Sequence, residues 1–285
     1  MLTRAQSEHW LEQGYVVLPG FKLAAETAAA VARANALVAG FEPTPATGVF
    51  SARDSTRVAD QALLASAEAV HFFFEEEAFD ADGRLVVPTA ASVNKIGHAL
   101  HQLDPVFTPY SRGPTLAALA CNLGLAQPQV WQSQLIFKQP HIGGEVGWHQ
   151  DASFFVTEPQ TVTTFWFALE DATLDNGCLW AQPGGHRTPL RERFVADRSA
   201  AGRQLKMQRL DPTPWPAAGR GTVALPVPAG TLVCFHGLLP HYSGPNRSAR
   251  SRLAYTLHAT DASAAYSPLN WLQRSAALPV RGFEG

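Results

Sequence analysis

"QVWQSQLIFKQPHIGGEVGWHQDASFF", residues 129–155, is where the texture of the chain changes. Before it the sequence is largely alanine-rich and helical in period. From it onward come short runs of aromatic and β-branched residues: "TVTTFWFALED", "GTVALPVPAGTLVCFHG" and "RSRLAYTLHAT". Turn residues separate them, in "IGGEVG", "LDNG", "QPGGH" and "SGPN". Many short strands punctuated by Gly and Pro predict a sandwich or barrel rather than a βαβ sheet. The same stretch places His149 and Asp151 one residue apart. In an extended segment, residues i and i+2 share a face, so the imidazole and the carboxylate converge on one point. That is half of a metal site.

Working outward, "TRAQSEHWLEQG" reads as a helix ended by Gly14, and "YVVLPGF" as a strand. Residues 23–39 read as an alanine-rich helix stopped at Gly40. Residues 41–60 read as irregular, and further helices are expected near 60–70, 89–103 and 114–125. Neither an internal repeat nor a low-complexity linker divides the chain. The expectation is therefore one domain over 1–285, with a helical layer mainly within 1–128 packed on a β core mainly within 129–262. The fold class read from the residues is mainly β with flanking helices: a double-sheeted β core behind an N-terminal helical layer.

Composition narrows the function. Of 285 residues, 46% are apolar and 16% charged, which excludes disorder. A formal net charge of −2 gives no electrostatic case for nucleic acid or an anionic membrane. The apolar stretches fall short of the roughly 20 residues of a membrane span, and the N-terminus lacks a signal-peptide core. Cys121, Cys178 and Cys234, widely spaced in apolar surroundings, read as buried, reduced cysteines. A cytoplasmic protein acting on a small molecule is expected; oligomeric state is not readable.

Two histidines and one carboxylate hold non-haem Fe(II) while leaving open positions for other ligands. The candidates for the third ligand in the β half are His141, His186, His236, His241 and His258. His241 is preferred: it follows "TLVCFHG" and the turn at Pro240, and another turn and strand come after it. His236, just before Gly237, is its competitor. Arg250 and Arg252 lie nine and eleven residues after His241. Within a strand they share a face with Ala254 and Thr256, opposite Leu253, Tyr255 and Leu257. A guanidinium inside a barrel is costly unless it meets an anion, and its planar fork suits a carboxylate. A dicarboxylate cosubstrate spanning metal and arginine satisfies both conditions.

These features together resemble a known family. "HQD", followed about ninety residues later by "PHYSGPNRSARSR", is similar to the phytanoyl-CoA dioxygenase (PhyH) family of Fe(II)/2-oxoglutarate oxygenases. "FFFEEEAFDADGRLV", "VNKIGHALHQLDPVF", "IFKQPHIGGEVGWHQDASFF", "EDATLDNGCLWAQPGGHR" and "NWLQ" resemble its PhyH-domain-containing protein 1 subgroup, from about residue 70 to about 275. The resemblance implies that the β core is a double-stranded β-helix (jelly-roll, cupin-like), with His149, Asp151 and His241 as iron ligands. It implies Arg252 for the distal carboxylate of 2-oxoglutarate, with Arg250 as second candidate. Lys95, Trp166 and, more loosely, Gln134 match positions lining the 2-oxoglutarate pocket. Gly185, in "QPGGHR", stands where the family's "PGSH" loop has serine.

The implied activity is a hydroxylase: O2 and 2-oxoglutarate are consumed, succinate and CO2 form, and a small-molecule C–H bond is oxidised. Asp151 sets the chain apart from halogenating relatives, which lack this carboxylate. Two rivals remain at this point: a catalytically silent jelly-roll binding protein, and a cupin-like metalloenzyme that does not use 2-oxoglutarate. Taken alone, Lys95 reads as a surface helix lysine, and His98 and His101 as one face of the same helix. Trp148 and Phe154 read as core residues flanking the metal strand.

Overall fold

Twelve strands form two facing antiparallel sheets in the computed structural model, which describes residues 1–41, 49–50, 60–80, 82, 84–197 and 204–284. In chain order they are β1 (Tyr15–Leu18), β2 (Val49–Phe50), β3 (Val70–Glu75), β4 (Val93–His98), β5 (Pro128–Lys138) and β6 (Val146–His149). Then follow β7 (Thr163–Ala168), β8 (Leu179–Ala181), β9 (Val223–Leu225), β10 (Leu232–His236), β11 (His241–Ser243) and β12 (Arg252–Asp261). The larger sheet runs β1-β10-β7-β12-β5-β4-β3-β2 and the smaller β9-β8-β11-β6. All pairings are antiparallel except the short β2–β3 pair. This is the jelly roll expected, with a short hairpin (Glu192–Asp197 and Gln204–Arg209) beside it.

Directly opposed residues of antiparallel strands point to the same side. Leu135, Phe137, Phe165, Phe167, Leu253, Tyr255 and Leu257 therefore make one face of the larger sheet. Helices α1 (Arg4–Gln13), α2 (Ala24–Ala39) and α4 (Pro114–Asn122) bring Trp10, Ala30, Ala34, Val38, Leu116 and Leu119 to the same core; α3 (Asp60–Ser66) lies elsewhere. Thr3 starts α1 with a capping box to Gln6, and Gly14 ends it at φ 81°, a left-handed conformation that favours glycine. The other face carries Gln132, Gln134, Thr164, Trp166, Arg252, Ala254, Thr256 and His258. Trp166, Ala168, Val233 and Ala254 meet Leu179 and Ala181 of the smaller sheet, so a second apolar cluster fills one end of the space between sheets. A third, with Trp131, Phe155, Phe194, Trp271 and Leu272, lies at the other end.

The structure corrects three expectations. The helix expected over 89–103 is two single turns, Thr89–Ser92 and Leu100–Leu103, with β4 between them. Lys95–His98 give the backbone a continuous ladder between β3 and β5, and Gly97, a poor helix former, sits inside it. His98 and His101 consequently do not share a helix face. The N-terminal half is likewise more than a helical layer, since β1 to β4 all extend the larger sheet. Cys121 is exposed, while Cys178 and Cys234 are buried and all three are free. It sits on the solvent side of α4, whose Leu116, Leu119 and Ala120 face the core. The irregular stretch expected over 41–60 lies largely outside the described residues. No helix among the described residues is long and apolar enough to cross a membrane.

Candidate metal centre

His149 is the last residue of β6 and His241 the first of β11, and the two are register partners. Their rings lie 4.1 Å apart, centroid to centroid. Gln150 is extended, at φ −121° and ψ 130°, so Asp151, which opens the turn Asp151–Ser153, projects to the same side as His149. His149 Nε2 is 3.5 Å and His241 Nε2 3.8 Å from Asp151 Oδ1. The three ligand atoms all lie within 4.8 Å of one another, a separation one ion can bridge. His236 takes no part. Its Nδ1 accepts the Leu238 N–H, and its ring packs by Trp10 and His186.

The ring orientations prepare these atoms. His149 Nδ1 donates to Gly147 O at 2.8 Å, and His241 Nδ1 donates to Leu239 O at 3.0 Å. Each imidazole is thereby held in the tautomer whose Nε2 lone pair is free to ligate. Asp151 is oriented as well: Thr164 Oγ1 donates to Oδ2 at 2.5 Å, and His258 Nε2 stands 3.5 Å from the same oxygen. Oδ1 is left toward the histidines. Burial pushes the Asp151 carboxyl up, but His241, His258 and His149 outweigh burial and hold it well below the usual carboxylate range. Burial, and then the charge of His149, lower His241 to about 4. For His149 burial works downward but is overcome by Asp151, and its pKa rises. Two nitrogens and one ionised oxygen fit ferrous iron.

The turn that carries Asp151 is pinned on both sides. Gln150 is fully buried; its amide donates to Pro189 O and Leu238 O, and its carbonyl accepts the Arg191 N–H. Ala152 N–H donates to Gly237 O. Thr164, His258 and Gln150 were not singled out as supporting residues. His258 could have been found from the strand alternation that puts Arg252 and Thr256 on one face.

Arg252 opens β12 on that face and is 2% exposed. Its guanidinium carbon is 5.6 Å from the Trp166 ring centre, and Nε and Nη1 have no hydrogen-bond partner. Burial lowers its pKa to about 10, which leaves it cationic at neutral pH. Arg250 is exposed in the preceding turn and does not share the strand face. Lys95 pairs in register with Ile136 and Gln134 with Gly97 and Thr256, so both lie on the triad's face of the sheet. Burial lowers Lys95 to about 8. Gly185 is buried, and a Cβ there would come within 2.7 Å of Pro240 Cδ. The glycine thus packs against the residue preceding His241. Trp148 is half-buried and stacks on Tyr242, while the Phe154 ring lies 6.2 Å from that of His149.

A jelly roll with two histidines and a carboxylate meeting between its sheets defines a class, the 2-oxoglutarate-dependent non-haem iron oxygenases. The phytanoyl-CoA dioxygenase (PhyH) family model matches residues 10–254. The chain belongs to that family. It is 42% identical over 285 residues to phytanoyl-CoA dioxygenase domain-containing protein 1 of Mus musculus, across 98% of this chain and 97% of the mouse protein. It is 40% identical to a phytanoyl-CoA dioxygenase of Arabidopsis thaliana, across 96% and 94% of the two chains. Among solved structures, the epimerase SnoN, in complex with Fe3+, alpha ketoglutarate and nogalamycin RO, shares the fold with a TM-score of 0.62 at 19% identity, covering 97% of each chain. EctD from S. alaskensis with bound Fe gives 0.61 at 20% identity, covering 96% of this chain and 82% of the other.

Proposed function

We propose that the protein oxidises a C–H bond of a small organic molecule, using Fe(II), 2-oxoglutarate and O2. The balance is R–H + 2-oxoglutarate + O2 → R–OH + succinate + CO2. His149, Asp151 and His241 hold the iron in this reading. Bound ferrous iron supplies the oxidative decarboxylation of the cosubstrate, and the protein supplies orientation and exclusion of water.

The observation that carries the reading is Arg252. A guanidinium buried inside the sandwich, on the face that bears the triad's supporting Thr164 and His258, feels Glu170 and Glu75 only through space and keeps two nitrogens without hydrogen-bond partners, which an arriving anion would satisfy. The distal carboxylate of 2-oxoglutarate is that anion, and Trp166 and Gln134 wall the same face. Arg250, pointing to solvent, does not reach it. Lys95 provides a second positive group on the same face of the sheet. The family name does not choose the substrate, and an uncharged, partly apolar molecule is the class that the aromatic walls around Phe154 and Phe155 favour. Cytoplasmic location belongs to this proposal as well.

Anaerobic calorimetry of the metal-loaded protein with 2-oxoglutarate tests the reading. Arg252→Ala is expected to weaken binding about 10- to 100-fold, the effect of removing a charge-assisted hydrogen-bonding partner. Arg250→Ala is expected to change it less than threefold. Absence of binding to the wild type favours a metalloenzyme that does not use 2-oxoglutarate. Binding without any succinate production favours a silent binding protein.

A further inference from the structure

We propose that His98 is a substrate-anchoring residue, held by Ser66 so that its bare Nε2 accepts a hydrogen bond from a hydroxyl or amide N–H of the substrate. This rests on the oxygenase reading and deepens it. The side chain ends β4 and is 1% exposed. Ser66, itself fully buried at the end of α3, lies with Oγ 2.8 Å from His98 Nδ1. The direction of that bond is fixed by a third atom. The single proton of the Ser66 hydroxyl goes to Leu63 O, 2.5 Å away. Ser66 must therefore accept from His98, which places the imidazole proton on Nδ1 and leaves Nε2 a lone pair.

That lone pair is not used by the protein. His98 Nε2 has no hydrogen-bond partner among the described residues, and the side chain is buried. A buried acceptor without a donor is completed by a donor that a ligand brings. The ring is walled by Phe73 at 5.4 Å and Trp271 at 5.0 Å. Its charged and titratable neighbours are Lys95, Arg274, His71 and His258. Two of these tie the position to the metal centre: His258 contacts Asp151, and Lys95 feels the charge of His149. Burial, reinforced by Lys95 and Arg274, keeps the imidazole neutral. The same cations repel an ammonium group. The donor that fits is uncharged, on a molecule whose apolar body lies between aromatic rings. Such a contact discriminates well, because a ligand lacking the donor leaves a desolvated acceptor behind.

The test uses full-length protein loaded with Zn(II) and 2-oxoglutarate, with 15N-labelled histidine. The probes are 2-phenylethanol and 3-phenylpropanamide, each against its O-methyl or N,N-dimethyl counterpart. Nitrogen spectra are expected to show His98 as the Nδ1–H tautomer, with the Nε2 resonance shifted by the alcohol or the primary amide only. His98→Phe is expected to weaken 2-phenylethanol binding about tenfold and leave the ether unchanged. His98→Gln, which retains an acceptor, is expected to recover most of the loss, which a merely structural role does not explain. An Nε2–H tautomer overturns the proposal, as do equal responses to a probe and its methylated partner, or no response to any probe. 2-Oxoglutarate binding to the wild type is measured separately. If it persists while these outcomes fail, only the role of His98 falls; if it is absent, the oxygenase reading falls first.

Discussion

A single hydroxyl decides how Asp151 presents itself. One carboxylate oxygen must face the two Nε2 atoms, and a free carboxylate has no reason to prefer that rotation. Thr164 Oγ1, at 2.5 Å, takes the other oxygen and fixes the plane of the group. Thr164→Val has almost the same shape and no donor, so it isolates that bond. It is expected to lower Fe(II) affinity about 10- to 100-fold with little change in melting temperature, whereas Thr164→Ser is expected to retain near-native affinity. Competition with a calibrated chelator measures both. Equal affinities for the valine and serine variants would mean that His258, 3.5 Å from the same oxygen, does the orienting alone.

Among the elements, the turn after β10 is the one that binds strand to metal site. Gly237 N–H donates to Val162 O, and Gly237 O accepts from Ala152, next to Asp151. A Cβ at Gly237 would stand 2.5 Å from Val162 Cβ and 2.8 Å from Val162 O, closer than the backbone tolerates. Gly237→Ala is therefore expected to destabilise the fold by about 1–3 kcal/mol and to weaken metal binding with it. Gly40→Ala, where a Cβ meets Ala36 O only at 3.4 Å, is the control and is expected to shift stability by well under 1 kcal/mol. Calorimetric melting with and without Fe(II) reads both effects. The element scale is also where the sequence was least legible. The strands after residue 129 announce themselves by aromatic and β-branched alternation between glycine and proline turns. β4 does not: "AASVNKIGHAL" carries alanine at both ends and only a short alternation between. Its strand state comes from ladders with β3 and β5, partners about 20 and 40 residues away, which no local pattern reports. The triad was legible because an extended H-x-D spacing is a local signal and Pro240 marks the turn before His241. Thr164 and Ser66 were not, because their roles depend on partners 13 and 32 residues distant in sequence.

Across the whole molecule, buried neutral histidines couple stability to pH. Burial, aided by Arg274 and Arg112, lowers His101 to about 3. Burial, aided by His186, lowers His236 to about 4, and His98 also lies well below its ordinary value. In the unfolded chain each titrates near 6.5. Between those values the unfolded state binds protons that the folded state refuses, so stability falls as pH falls. It is fully present above about 6.5 and is lost progressively toward 4 and then 3. His101 is 2% exposed, with Nδ1 2.8 Å from Ser133 Oγ, and it lies outside the triad. Its share of the slope is about 1.4 kcal/mol per pH unit in that window. Urea unfolding of the metal-free protein at pH 7, 6, 5 and 4.5 is expected to give a plateau and then a decline. His101→Gln lowers stability throughout, because the Ser133 contact is altered, but its decline is expected to be shallower by that share. Two curves that run parallel from pH 6 to 4.5 would mean that His101 takes up its proton without unfolding, and that the buried site is wetter than its 2% exposure implies.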